Sequence, residues 1–182
     1  MVNICKLKLT ILQQEILRLL FVKNGTQLNA RAISKNLEVS QPAVSKALPE
    51  LENQGLIKIK KDKESKRLSI ELNNDNHNII WLKRADNLKQ VYDSGLAQML
   101  YDNFPGSTVI LFGSYAFGED TLTSDIDMAV IGSKPKEIKL SKYEKLLERT
   151  IIINYYNSFK DIDEHLLNNI LNGITIKGAI EL

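Results

Sequence analysis

The chain has 182 residues, of which 43% are hydrophobic and 25% are charged, and its formal net charge is +2. This composition is that of an ordinary soluble globular protein and excludes a disordered or fibrous chain. No stretch approaches the length of a membrane span, the first ten residues do not resemble a secretory leader, and the single cysteine, Cys5, cannot form an internal disulfide. We therefore expect a cytoplasmic protein with no membrane partner.

The charge is unevenly distributed along the chain. Residues 1–76 carry 13 Lys and Arg against 8 Asp and Glu, whereas residues 77–182 carry 11 against 14. A basic part followed by an acidic part predicts two modules with different partners. The predicted segments, separated at a polar run, are an amino-terminal module at 1–74, a helical connector at 75–104 and a carboxy-terminal module at 105–182.

The amino-terminal pattern predicts three helices followed by a hairpin. Apolar residues recur on one face of 9–22, a short helix follows Asn29, and Ser40 is the N-cap of a third helix with Pro42 in its first turn. Alternating residues at 56–60 and 67–72 flank a polar turn.

This order resembles a winged helix-turn-helix, whose recognition helix would begin at 40–46. The resemblance implies that duplex DNA is bound in the major groove by one set of side chains and at phosphates by a second, basic set. The first set is Gln41, Ala43, Ser45 and Lys46, and the second is Lys58, Lys60, Lys61, Lys63, Lys66 and Arg67. The alternative is a docking or dimerisation module with a solvated hairpin; winged helix proteins commonly form homodimers.

The connector is predicted to be helical up to Asn103, with a weak point or break at Gly95. The apolar residues that recur at helical spacing are Ile79, Leu82, Leu88, Val91, Leu96, Met99 and Leu100.

Two short motifs carry the functional prediction. Gly113-Ser114 follows an apolar strand at 108–112, where glycine allows a phosphate to approach the backbone and the N–H groups of a new helix favour negative charge. Asp125 and Asp127 lie two apart in a strand, so their carboxylates face the same side and repel unless a cation lies between them. Oxygen ligands of this kind suit Mg²⁺ that also binds phosphates. The motifs together predict a metal and triphosphate site.

The remaining elements alternate, which predicts an α/β layer structure. In chain order they are a strand at 108–112, a helix at 114–117, a loop at 118–124, a strand at 125–131, a helix at 139–149, a strand at 151–156, a helix at 159–171 and a short apolar tail.

The two motifs, with their spacing, resemble the signature of minimal nucleotidyltransferases of the DNA polymerase β superfamily. The residues that carry the resemblance are Gly113, Ser114, Gly118, Ser124, Asp125 and Asp127. The whole chain resembles archaeal and bacterial proteins in which such a domain follows a winged helix. The resemblance implies an α+β protein with a small mixed sheet flanked by helices in its second module. It also implies that Gly113 and Ser114 hold the β- and γ-phosphates of a nucleoside triphosphate, and that Asp125 and Asp127 are the catalytic pair that binds Mg²⁺. Ser124 either caps the strand edge or binds a phosphate oxygen.

One feature departs from this family. A third carboxylate is expected on a later strand, yet 151–156 contains no acid, and Asn154 is only a weak, neutral oxygen ligand. Asp161, which follows closely, belongs to a predicted capping box with Ser158.

Two functions therefore remain. The first is a Mg²⁺-dependent transferase that moves NMP from an NTP to a hydroxyl on a protein or nucleic acid, with the winged helix docking the target. The second is a DNA-binding transcriptional regulator whose degenerate transferase domain senses nucleotide or dimerises. The family also implies a third possibility, in which the protein acceptor is a partner toxin.

Overall fold

A computed structural model describes residues 8–61 and 68–181. The chain divides into two compact units, Met1–Ile79 and Ile80–Leu182. Among the helices described within these ranges, none combines the length and the hydropathy needed to cross a membrane.

The first unit is a winged helix, as predicted. Its elements are α1 (Ile11–Val22), α2 (Ala30–Asn36), α3 (Gln41–Asn53), β1 (Ile57–Lys61) and β2 (Leu68–Leu72). The predicted helix starts are confirmed, because the side chains of Asn29 and Ser40 each accept a hydrogen bond from a backbone N–H three residues later. Strands β1 and β2 pair antiparallel. The polar turn predicted between them lies outside the described residues, and so do the predicted phosphate contacts Lys63, Lys66 and Arg67.

Apolar residues from every helix and from β2 form the core of this unit. Ile16, Leu20, Ile33, Val44, Leu51 and Ile70 are at most 1% exposed. Leu28 pairs with Ile70 in an isolated antiparallel bridge, which fixes the chain before α2 against the hairpin. The apolar face predicted within 9–22 is therefore only partly right, because Ile16 and Leu20 are buried whereas Ile11 is 77% exposed.

The connector forms two helices, α4 (His77–Asp93) and α5 (Leu96–Asn103). They are interrupted at Gly95, which has φ +78° and precedes the first residue of α5. The predicted break is thus confirmed. The predicted apolar face of α4 is only partly right, since Leu82 and Leu88 are half-buried. Polar side chains are buried instead, namely Lys83, Asn87 and Gln90.

The second unit contains a four-stranded mixed sheet. Its elements after α5 are β3 (Thr108–Phe112), α6 (Gly113–Phe117), β4 (Ile126–Ile131), α7 (Ser141–Leu147), β5 (Ile151–Tyr156), a 3₁₀ helix (Phe159–Asp161), α8 (Glu164–Leu171) and β6 (Ile174–Lys177). The strand order is β5-β4-β3-β6, in which β4 and β5 are parallel and the other pairs antiparallel. The predicted small mixed sheet with flanking helices is confirmed.

Three predicted elements differ from the structure. The helix at 139–149 is shorter, and the helix at 159–171 is divided into the 3₁₀ helix and α8 by Asp163, which caps α8. The predicted apolar tail contains a strand that the sequence did not indicate, because part of it forms β6 against β3. Gly173 makes this pairing possible, since a Cβ there would lie 2.9 Å from Ile110 Cγ2.

Both faces of this sheet are covered. One face packs on α4 and α5 through Val91, Leu96 and Leu100, and the other packs on α8 through Ile170. Because residues alternate along β4, the side of Asp127 is the side of Ala129 and Ile131, which belong to the α8 face.

Candidate functional site

The predicted phosphate turn and one predicted metal ligand lie against each other. Phe112, the last residue of β3, is paired with Asp127 of β4, and the chain turns into α6 at Gly113. Gly113 has φ +74°, and a Cβ built on it would lie 2.5 Å from Asp127 Oδ2. The structure therefore brings the Asp127 carboxylate directly against the backbone of the strand-to-helix turn.

Asp125 and Asp127 form a pair at the start of β4. Asp125 immediately precedes the strand and Asp127 is its second residue, so both point to the same face. Burial raises the pKa of Asp127, and the neighbouring charge of Asp125 raises it further. A cation between the two carboxylates would relieve this repulsion. Across residues 8–61 and 68–181, no group of three or more His, Cys, Asp or Glu is arranged to hold a metal ion.

The two serines of the motif have different surroundings. Ser114 lies half-buried in the first turn of α6, and its hydroxyl has no hydrogen-bond partner within the described part of the chain. The Ser124 hydroxyl accepts a hydrogen bond from the Thr121 N–H at 2.9 Å, while the Ser124 N–H donates to the Thr121 carbonyl at 3.1 Å. Ser124 thus closes the turn that leads into Asp125.

Strand β5 presents an apolar residue beside the acid pair. In the parallel register, Asp127 is paired with Ile152 and Ala129 is paired with Asn154. Asn154 therefore lies two residues too far along the strand to be the direct neighbour of Asp127. Ile152, which is 39% exposed, occupies the neighbouring position.

A polar cavity of about 410 Å³ adjoins Asp125. It is lined by Leu122, Thr123, Ser124, Asp125, Glu144, Glu148, Arg149 and Thr150. One Glu144 oxygen accepts a hydrogen bond from the Ile151 N–H at 3.1 Å, which holds this carboxylate at the start of β5. Sequence patterns did not indicate Glu144 or Glu148, because only the sheet brings α7 beside the loop before β4.

A buried ionic network lies under the same loop. Asp120 accepts a hydrogen bond from Asn87 at 2.7 Å and contacts Lys83 Nζ at 2.9 Å and Arg149 Nη2 at 3.2 Å. The side chains of Lys83, Asp120 and Arg149 are 2% exposed or less, and burial lowers the pKa of Lys83 against the opposing effect of Asp120. The sequence gives a weak indication that Lys83 and Asn87 are buried, since they follow Ile79 at four-residue steps and so lie on the same face of α4.

Gly118, another residue of the motif, has a packing role. Its φ is +78°, and a Cβ on it would lie 2.7 Å from the Arg84 N and still closer to the Ile80 carbonyl. Glycine is therefore required where the end of α6 approaches the backbone of α4.

The predicted recognition face of α3 is accessible. Gln41, Ser45 and Lys46 are exposed, and Ala43 is half-buried. A cavity of about 400 Å³ lies beside this face and adds Arg31 to it; its lining is Asn29, Ala30, Arg31, Gln41, Ser45 and Leu68.

The lysines of β1 differ from one another. Lys58 forms an ion pair with Asp75, and Lys60 forms one with Glu71, which lowers the pKa of each acid chiefly through the hydrogen bond. Lys61 is exposed. Two of the predicted phosphate contacts are thus already paired with carboxylates in the fold.

Comparison with known proteins supports both modules. Residues 94–174 match the family model of the nucleotidyltransferase domain, and residues 9–69 match that of the MarR family. No curated protein shows significant similarity to the chain.

Two solved structures show a weaker similarity. A point mutant of ZitR from Lactococcus lactis is 24% identical, with a TM-score of 0.42 over 57% of this chain and 68% of that one. MepR from S. aureus, in a DNA complex, is 25% identical, with a TM-score of 0.38 over 52% of this chain and 81% of that one.

Proposed function

We propose that this chain, in which a MarR-family winged helix precedes a nucleotidyltransferase domain, moves NMP from an NTP to a hydroxyl group of a protein or nucleic acid with the help of Mg²⁺. The observation that carries this proposal is the placement of the Asp127 carboxylate against the Gly113 backbone, with Asp125 on the same strand face. This arrangement joins a cation site to a turn that accepts phosphate.

The donor set fits a divalent cation with bound phosphates. Burial and the charge of Asp125 raise the pKa of Asp127, and an added cation would remove this cost of ionising Asp127. The Gly113 turn leaves backbone without a side chain beside them, and the Ser114 hydroxyl is available to donate to a phosphate oxygen. When bound, Mg²⁺ would neutralise negative charge on the transferred phosphoryl group and on pyrophosphate.

The protein's own residues position the reactants. Gly113 and Ser114 would bind the β- and γ-phosphates, and Asp125 and Asp127 would hold the cation against them. Ser124 closes the turn that places Asp125, and it also lines the adjoining cavity. We assign the acceptor hydroxyl to that cavity, because Asp125 is one of its lining residues.

The decisive experiment uses NTPs labelled at the α-phosphate. Purified protein, Mg²⁺ and a host cell extract are incubated, and the labelled product is treated with protease or nuclease to distinguish a protein acceptor, such as a partner toxin, from a nucleic acid. We expect transfer by the wild type and none by Asp125→Asn/Asp127→Asn, whose side chains keep their shape but lose their charge. Equal labelling by both proteins would exclude the proposed reaction.

A second function is favoured by Ile152, which places an apolar residue where a third carboxylate would strengthen the cation site. In this alternative, the protein is a DNA-binding regulator whose transferase domain binds nucleotide without turnover, or dimerises. Duplex binding that changes with Mg²⁺·NTP, without any labelled acceptor, would support it. Absence of duplex binding at low salt would contradict it, and light scattering would show whether the chain dimerises.

A further inference from the structure

Asp120 is the buried centre of the loop between α6 and β4. It is 1% exposed, and it is held by Lys83 and Asn87 from α4 and by Arg149 from the segment between α7 and β5. Removing a carboxylate and two cations from water costs free energy. Apolar residues of similar volume often give equal or greater stability than a buried ionic group. Stability alone is therefore a poor explanation for the network.

The network is connected to the acid pair from two directions. On the loop side, Asp120 directly precedes the Thr121–Ser124 turn, which is closed by two hydrogen bonds and leads into Asp125. On the strand side, Arg149 precedes Thr150, whose carbonyl accepts a hydrogen bond from the Ile126 N–H at 2.8 Å. Ile126 lies between the two acids. Both routes thus end at the backbone that orients Asp125 and Asp127.

Helix α4 contacts both the loop that contains Asp120 and helix α6. Lys83 Nζ donates to the Asp120 carbonyl as well as contacting its carboxylate, and Asn87 Nδ2 donates to the Tyr115 carbonyl of α6 at 2.9 Å. Gly118 packs against the α4 backbone. The same helix therefore holds α6, which begins with Gly113 and Ser114, and the loop that ends at Asp125.

We propose that Asp120 is a positioning residue for cation binding, and that Lys83, Asn87 and Arg149 act through it to hold Asp125 and Asp127 in register with the Gly113 turn. This proposal rests on the proposed function, because it concerns the same cation site. Residues that hold metal ligands in place typically change metal affinity by about 10- to 100-fold when they are replaced.

Three variants of the full-length chain test the proposal. Asp120→Asn removes the central charge. Lys83→Met keeps most of the side-chain volume and leaves Asp120 paired with Arg149, so it remains useful if Asp120→Asn does not fold. Leu100→Ala is the control, because Leu100 is fully buried in α5 and its truncation lowers stability without touching the network.

Two measurements separate a positioning role from a structural one. The first is the affinity for Mn²⁺ with a non-hydrolysable NTP, measured by electron paramagnetic resonance. The second is the amide hydrogen exchange of Ser124 and Ile126 in the absence of metal. For Asp120→Asn and Lys83→Met we expect about 10- to 100-fold weaker Mn²⁺ binding and faster exchange at both amides. For Leu100→Ala we expect lower thermal stability with Mn²⁺ affinity unchanged.

Wild-type Mn²⁺ affinity and slow exchange in both network variants would overturn the positioning role while leaving the proposed function intact. If Leu100→Ala instead loses as much Mn²⁺ affinity as the two network variants at matched stability, the loss comes from destabilisation, and the positioning role is overturned as well. If the wild type binds no Mn²⁺ with any NTP, the proposed function fails, and a positioning role in cation binding fails with it. Faster amide exchange in the variants would then report a structural effect alone.

Discussion

Gly113 and Asp127 lie so close together that no side chain fits between them. A Cβ on Gly113 would approach Asp127 Oδ2 to 2.5 Å, and the β3–β4 register places Asp127 directly opposite Phe112. Two motifs separated by a loop therefore form one surface. Glycine is required here for two reasons, a positive φ and the nearby carboxylate.

Gly113→Ala tests this relationship. The added methyl group has to displace the Asp127 carboxylate, so we expect at least about tenfold weaker Mg²⁺-linked nucleotide binding by calorimetry. Gly132→Ala is the matched control, because Gly132 also has a positive φ, +86°, but nothing lies within 4 Å of its Cβ position. Both variants carry backbone strain of about 1 kcal/mol or more, and only the first should lose binding. Equal losses would mean that strain, not the approach to Asp127, matters.

Asp127 should make metal-free stability depend on pH. Its pKa is raised by burial and by Asp125, so the folded protein retains this proton at pH values where the unfolded chain, with a pKa of about 3.9, has lost it. Stability is therefore unaffected below about pH 4 and falls as the pH rises from there to the raised pKa, and the loss persists at neutral pH.

Asp127→Asn removes that charge. We expect its metal-free melting temperature to exceed that of the wild type at pH 7, with the difference disappearing near pH ~3. Added Mg²⁺ and NTP should raise the melting temperature of the wild type only. If the melting temperatures of the two proteins instead change with pH in parallel, the ionisation of Asp127 does not destabilise the metal-free protein.

Ile152→Asp introduces a third carboxylate beside Asp127. Because Ile152 is partly exposed and paired with Asp127, the new acid can join the cation site at a modest cost in stability. We expect lower metal-free stability and about tenfold tighter Mg²⁺ binding, since affinity for hard cations rises with ligand charge. Ile152→Asn has nearly the same shape without the charge and should not tighten binding. If both variants bind Mg²⁺ as the wild type does, Ile152 does not border the cation site.

Lysines in the winged helix should differ in their contribution to duplex binding. Lys46 is exposed on α3, whereas Lys60 is paired with Glu71. We expect Lys46→Ala to weaken binding and to reduce the slope of log affinity against log salt by about one. Lys60→Ala should change the slope less, because its charge is already balanced. Fluorescence anisotropy over a salt series measures both, and a larger effect at Lys60 would place the hairpin, not α3, at the phosphates.

Most elements of the fold could be predicted from local sequence patterns. Ser40, Gly95 and the capping box of Ser158 and Asp161 were identified correctly because capping and positive φ depend on neighbours a few residues away. Strand β6 was missed for the opposite reason. A four-residue edge strand has little pattern of its own, and it is defined by pairing with β3, more than 60 residues earlier in the chain.

The candidate site divides in the same way. The sequence alone determined that the Gly113-Ser114 turn and the pair of Asp125 and Asp127 belong together, because the spacing of glycine and alternating acids follows from strand and turn geometry. Only the tertiary structure decided that Ile152, not Asn154, neighbours Asp127, and that Asp120 is held by Lys83 and Arg149. Register across a sheet and burial of an ionic group both depend on which distant segments meet, and no local pattern specifies that meeting.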